Sequence, residues 1–332
     1  MTTTQQTTTS GLSVPENFLV SELRLKPPRQ PDWIFTDLWQ AMTPALFTGD
    51  GGLGKTHFAL QMALAIARGD NIDGTPIYCS QPRDVVYISQ EDETDHLYAA
   101  LLSQSPDLGN RPDVINRIRI ISTAVQGQPI FISEPKDQSY LVKNIPQNAV
   151  FFLDSFSNFI LSNENDNNQI LKSEFVSLRL IMRLCKATPM LIHHRPKQNA
   201  TTGAQGSFRG AVAIQQSCRF HIMFEKQLDH VDLSFQKVSR GMIPDSVPLK
   251  FDPARKMFIP WKPSDDFVDV FQPIETLSLT EVMQRMKADP NNPADRKRIQ
   301  NALDYRARPG GPLTKVSPGT KTQEATWTLS NP

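Results

Sequence analysis

Gly49-Asp50-Gly51-Gly52-Leu53-Gly54-Lys55-Thr56 decides how the rest of this chain is read. The octapeptide fills the pattern GxxxxGK[ST] in full. Before it, Ala45–Thr48 is a short apolar run. After it, Phe58, Met62, Ala65 and Ile66 recur on one face of a helical pattern that Gly69 stops. Strand, glycine-rich turn and helix together let backbone N–H groups converge on a phosphate without Cβ clashes, while the helix N-terminus adds partial positive charge. The stretch predicts a nucleotide site formed by Gly49, Asp50, Gly51, Gly52, Leu53, Gly54, Lys55, Thr56 and His57. Lys55 is expected to reach the β- and γ-phosphates and the Thr56 hydroxyl to ligate Mg²⁺, which makes ATP and Mg²⁺ the expected cofactors.

Such a loop needs a metal-holding acid on a neighbouring strand. Asn148-Ala149-Val150-Phe151-Phe152-Leu153-Asp154-Ser155 supplies one, an apolar run ending in Asp154. No acid follows it, so a base that activates water has to come from elsewhere. The run Val85-Val86-Tyr87-Ile88-Ser89-Gln90 leads into Glu91-Asp92-Glu93, and Glu91 comes first after the strand. A glutamate there is a candidate general base for a water near the phosphates. The same acids also read as an N-cap cluster for the helix that follows.

Working outward, Ala45–Thr48, Val85–Ser89, Ile118–Ser122, Val150–Leu153 and Met190–His193 are candidate strands. Each is a continuous apolar run, as expected when helices cover both faces of a parallel sheet. A second helix is predicted over Gln169–Cys185, with Phe175, Leu178, Ile181 and Met182 on one stripe. Arg219–Phe224 and Val231–Val238 read as a hairpin that closes the sheet edge. The expected fold class is α/β, a P-loop core with a mostly parallel central sheet.

The ordered set GDGGLGKTHFALQ, VVYISQEDE, VFFLDSF, MLIHHRPK and FRGAVAIQQSCRF resembles the RecA/DnaB superfamily. Within it the set is most similar to the RepA-type hexameric replicative helicases of plasmids and phages, over about Pro31 to Phe224. PDWIF, just ahead of the first strand, resembles the entry segment of that group. The resemblance implies a DNA helicase or translocase working as a homo-oligomer, a hexameric ring by preference. It assigns His194 as γ-phosphate sensor, with His193 as the adjacent alternative. Neighbouring strand histidines point to opposite faces and no cysteine pair accompanies them, which argues against zinc. Arg219 resembles the arginine finger inserted into a neighbouring subunit's site, with Arg209 as runner-up. The catalytic set is therefore Glu91, Lys55, His194 and Arg219, with Thr56 and Asp154 on Mg²⁺. The polar stretch 197–207 would grip single-stranded DNA, with Arg195, Lys197, Asn199 and Arg209 as candidate contacts. A surface loop is the alternative reading.

Outside that span the chain changes character. Residues 1–30 are expected as a polar tail and a proline-rich linker, 31–262 as the ATPase core, 263–274 as a second linker, and 275–332 as a separate module. In the last of these, Ser278–Met286 and Asp295–Arg308 read as helices, and Leu313–Ser317 and Thr326–Leu329 as strands around Pro318-Gly319. That order matches the final elements of a winged helix. From Ser278 onward nine Lys/Arg face five Asp/Glu, a local +4, against +1 for the whole chain. Arg296, Lys297 and Arg298 are candidate contacts to a duplex, with protein docking the alternative. The global charge pulls the molecule toward neither nucleic acid nor membrane. No apolar run reaches the roughly 18 residues a membrane span requires. The start MTTTQQTTTSGLS lacks the marks of a secretory signal, and Cys79, Cys185 and Cys218 are too few and too scattered for a disulfide framework. A cytoplasmic location is expected.

Overall fold

The computed structural model describes residues 30–125, 127–163, 166–194, 212–227, 229–261, 276–286, 289–307, 313–317, 319 and 324–329. The expected tail and both linkers therefore lie almost wholly outside the described residues, as do Arg195, Lys197, Asn199, Arg209 and the side chain of Arg298. The chain divides into a unit at 1–32, of which only 30–32 is described, and a unit at 33–332.

In the second unit a two-stranded ribbon, β1 (Trp33–Phe35) and β2 (Trp39–Gln40), precedes β3 (Ala45–Gly49), the strand that delivers the glycine-rich turn. Helix α1 (Lys55–Arg68) follows, then β4 (Val85–Ser89), α2 (Thr94–Gln104), β5 (Ile118–Ser122), α3 (Pro135–Asn144) and β6 (Val150–Asp154). A π-helical turn, Ile170–Glu174, runs into α4 (Phe175–Cys185), which leads to β7 (Thr188–His194). After the segment outside the described residues come α5 (Val212–Ser217), β8 (Phe220–Lys226), β9 (Val231–Val238), β10 (Val247–Asp252) and β11 (Met257–Pro260).

These strands form one nine-stranded sheet in the order β11-β10-β9-β8-β3-β7-β6-β4-β5. The six strands from β8 to β5 are parallel, and β9, β10 and β11 are added antiparallel. Successive residues of each inner strand feed opposite cores, because side chains alternate across a sheet. Phe47, Tyr87, Phe152 and Ile192 pack with α1 and α2 on one face. Leu46, Val86, Phe151 and Leu191 pack with Leu141 of α3, Phe175, Leu178 and Ile181 of α4, and Ile214 of α5 on the other. Each such fully buried apolar side chain contributes roughly 1.5–3 kcal/mol, so both faces of every inner strand call for apolar residues.

One expectation is corrected. The hairpin β8–β9 does not close the edge: β8 sits between β3 and β9, and a second hairpin, β10–β11, lies beyond it. Val247-Pro248-Leu249-Lys250-Phe251-Asp252 hides that strand, since it alternates and contains a proline, which cannot donate to the ladder.

The remaining elements are β12 (Thr276–Ser278), α6 (Leu279–Arg285), α7 (Pro293–Arg306), β13 (Leu313–Ser317) and β14 (Thr326–Leu329). The strands form a separate antiparallel sheet in the order β12-β14-β13. Ser278 and Glu281 close a reciprocal capping box at the start of α6. A third core of Leu277, Val282, Met283, Ile299, Leu303, Leu313 and Trp327 holds these elements together.

Candidate nucleotide site

The turn between β3 and α1 is shaped by its glycines. Gly54 is the N-cap of α1 with φ +81°, a left-handed conformation that side chains other than glycine adopt at a cost, and a Cβ there would lie 2.9 Å from the Phe258 ring. A Cβ placed on Gly51 or Gly52 meets nothing within 4 Å, so no other part of the described chain packs on the turn at these positions. That cradle fits a phosphate approached by backbone N–H groups.

Lys55 is buried at the first position of α1. Its Nζ donates to Gly49 O (3.0 Å) and Asp50 O (2.9 Å) and lies 3.1 Å from His194 Nδ1. Burial holds its pKa below the ordinary lysine value, opposed by the carboxylates of Asp154, Asp50 and Glu91. Thr56 Oγ1 donates to Asp154 Oδ2 at 2.8 Å, so the two expected Mg²⁺ ligands already touch. A hydroxyl beside a buried carboxylate is a hard-oxygen donor set that suits Mg²⁺. The Tyr87 hydroxyl, buried in β4, donates to the same Oδ2 at 2.6 Å. Burial pushes the Asp154 pKa up, and the bonds from Tyr87 and Thr56 oppose that rise.

Glu91 sits just beyond β4 with its side chain 44% exposed. Its Oε1 accepts from Ser155 Oγ (2.5 Å) and Asn158 Nδ2 (3.0 Å), and its Oε2 is 3.7 Å from His194 Nε2. Glu93 instead becomes the N-cap of α2. The two histidines part as expected: His194 faces the site, whereas His193 is 4% exposed. Burial, then His194 and Lys55, lower the pKa of His193 to about 4. Among the described residues its Nδ1 has no hydrogen-bond partner.

Lys55, Thr56, Glu91, Asp154 and His194 thus converge on one cleft of about 500 Å³, which Gly52, Gly54, His57, Asp92, His96 and Lys256 also line. Arg219 does not join them. It precedes β8, where its N–H donates to Pro44 O at the start of β3. That places it about 16 Å from the glycine-rich turn at roughly 3.3 Å per strand residue. There it shares a 250 Å³ hollow with Trp33, Gln40, Ser239 and Arg240. Among the described residues neither guanidinium forms an ion pair. In the third core, Arg296 is spent internally: it donates to Thr280 Oγ1 and Pro290 O and pairs with Glu324. Its neighbour Lys297 is exposed.

Sequence reasoning passed over Tyr87, Ser155, Asn158 and Lys256. Tyr87 had a signal, because a tyrosine inside a strand buried on both faces needs a partner for its hydroxyl. The others depend on contacts between residues more than 60 positions apart and leave no local pattern.

Among solved structures, a DnaB-like replicative helicase matches with a TM-score of 0.52 and 14% identity, over 76% of this chain and 69% of the other. A solved ATPase domain gives 0.48 at 16% identity, over 67% and 85%. A KaiC-like protein of the hyperthermophilic archaeon Pyrococcus horikoshii OT3 gives 0.48 at 17%, over 71% and 100%. No curated protein matches the chain. The match at 0.52 is one of fold, the RecA-like α/β architecture with a large, mostly parallel central sheet. No helix among the described residues is long and apolar enough to cross a membrane. The model of one family, described as AAA domain, matches residues 12–200, more than half of the chain, and this chain belongs to that family.

Proposed function

We propose that the chain is an ATP-driven DNA helicase or translocase of a mobile genetic element, with its ATP sites between subunits of a ring. The observation that carries this reading is the convergence of Lys55, Thr56, Asp154, Glu91 and His194 on one cleft, with Arg219 at the other end of the same sheet. Bound ATP supplies a phosphoanhydride bond to water. Lys55 holds a positive charge against the phosphates, and Thr56 and Asp154 hold the Mg²⁺. Ser155 and Asn158 fix Oε1 of Glu91, which leaves Oε2, 3.7 Å from His194 Nε2, as the oxygen that takes a proton from water. Arg219 is too far from its own chain's site to act there, so it is read as completing a neighbour's.

His194 touches both Lys55 and Glu91 and is the last residue of β7. The segment after it, proposed to contact single-stranded DNA, returns to the described chain at α5. There Gln215 contacts His221, which shares a 2.8 Å hydrogen bond with Thr48 of β3. Both ends of that segment are therefore tied to the phosphate-binding strand, which supports a link between nucleotide state and DNA grip. The 275–332 module, with two helices and an antiparallel sheet, is read as a winged-helix-like element that docks on DNA or on a protein.

The test is the ATP hydrolysis rate with and without saturating single-stranded DNA, at fixed salt and a series of protein concentrations. Strong stimulation with a steep concentration dependence is expected. A slow rate indifferent to DNA would sink the motor reading and point to an ATP-switched regulator or loader. DNA stimulation with no strand displacement would point to a repair-type filament.

A further inference from the structure

The cleft holds a second lysine that no local pattern in the chain announces. Lys256 closes the turn between β10 and β11, and its half-buried side chain lines the same cleft as Lys55. Its backbone has φ +50°, in the left-handed region that costs a non-glycine residue about 1 kcal/mol or more. Such a conformation persists only where its surroundings enforce it.

They do so here at three points. Asp252 Oδ1 accepts from the N–H groups of Ala254 and Arg255, which sets the turn. Gln104 of α2 donates through one Nε2 to Lys256 O (2.8 Å) and His57 O (2.9 Å), pinning the turn to the first turn of α1. Gln61 of α1, itself buried, accepts from Phe258 N (3.0 Å) and donates to Phe258 O (2.9 Å). The Phe258 ring in turn rests on Gly54. The hairpin is thus fastened directly to the phosphate-binding turn.

Charge balance says what the lysine is for. The cleft lining contains the carboxylates of Glu91, Asp92 and Asp154, and its lysines are Lys55 and Lys256. Lys55 is already engaged by two carbonyls and His194. Among the described residues no carboxylate pairs with Lys256. A polyanionic ligand entering beside three carboxylates needs more than one fixed cation.

We propose that Lys256 is a second phosphate-binding cation of the nucleotide site, delivered by the β10–β11 hairpin to the phosphate chain where it passes His57. The proposal rests on the ATP reading above. Its ligand class is a nucleoside di- or triphosphate, recognised through charge. Lys256 does not take part in water activation, so its loss shows in binding.

The test measures Kd for fluorescent ADP and ATP analogues in wild-type protein, Lys256→Gln and Lys256→Arg, with adenosine as a competitor that lacks phosphate. Lys256→Gln is expected to raise both Kd values about tenfold and flatten their salt dependence. Lys256→Arg should stay within about threefold of wild type, and adenosine competition should be the same in all three. A Lys256→Gln Kd within twofold of wild type overturns the proposal. So does an equal loss of adenosine competition, which would mean a base contact, or a Lys256→Arg variant as weak as Lys256→Gln, which would mean a structural role. Wild-type protein that binds no nucleotide would instead sink the ATP reading, and this proposal with it.

Discussion

The two ends of the nine-stranded sheet are built on different principles. At the end where β3 leaves Gly49, polar groups answer one another, with Lys55, Tyr87, Asp154 and Ser155 buried: Tyr87 and Thr56 on Asp154, Ser155 and Asn158 on Glu91, Lys55 against two carbonyls and His194. At the other end, Arg219 and Arg240 line a hollow of about 250 Å³, where Ser239 donates to Arg219 O through both its N–H and its hydroxyl. A buried polar network is stable only when its members satisfy each other within the fold. Exposed guanidiniums carry no such obligation and remain available to something outside it. The first end is prepared by the chain for a small polar ligand, and the second has its chemistry still to be matched by another molecule.

The largest expected effect breaks the prepared end outright. Lys55→Ala should abolish measurable ATP turnover while the far-UV circular dichroism stays native, since removing a desolvated cation costs the fold little. Normal turnover would remove the assignment of the glycine-rich turn.

The next sharpens the contrast directly. Arg219→Ala alone should lower kcat by about 10³-fold, in the range seen for arginine fingers, and Glu91→Gln alone by about 10²-fold. Mixed together they should recover a fraction of wild-type activity, because some mixed interfaces pair an intact base with an intact arginine. Co-assembly confirmed by light scattering without any recovery would place Arg219 outside the reaction.

A smaller effect concerns how Asp154 is held. Tyr87→Phe removes one of the two hydroxyls on Oδ2, and the Mg²⁺ concentration for half-maximal nucleotide binding should rise about tenfold, as for other partners that orient a metal ligand. Mg²⁺-free nucleotide binding should not change, and a change there would mean that the hydroxyl acts on the cradle instead.

The smallest is a matter of pH. His193 titrates near 4 in the fold against about 6.5 in an unfolded chain, so between those values the unfolded state binds more protons. Its contribution is fully present above pH 6.5 and is lost as pH falls toward 4, by at most about 1.4 kcal/mol per pH unit. Urea midpoints of wild type at pH 7, 6 and 5 should fall more steeply than those of His193→Leu. Parallel slopes would show that the ring is not held neutral.

What the residues disclose in advance follows from how local each signal is. The glycine-rich turn, the apolar strands β3 to β7 and helix α1 are local patterns, and the structure places them within a residue or two of expectation. Asp154 and Glu91 were legible as the acids that end two apolar runs, and both line the cleft. The β10–β11 hairpin was not, since Pro248 interrupts its first strand, and with it went Lys256. It is fastened to the core by Gln61 and Gln104, which reach across from helices some 150 to 200 positions away. Contacts of that separation are set by the fold as a whole, and no window of sequence contains them.

Gln61 has one more consequence. β11 is the terminal strand of a large sheet, and an unpaired terminal backbone is a template for further strands, from a second molecule or a misfolded one. The Gln61 amide occupies both the N–H and the C=O of Phe258 much as another peptide group would. The edge is thereby sealed by a side chain from the very helix that begins at the phosphate-binding turn. Copies of this protein that meet along that flank would then do so through side chains and would not extend the sheet from one molecule into the next.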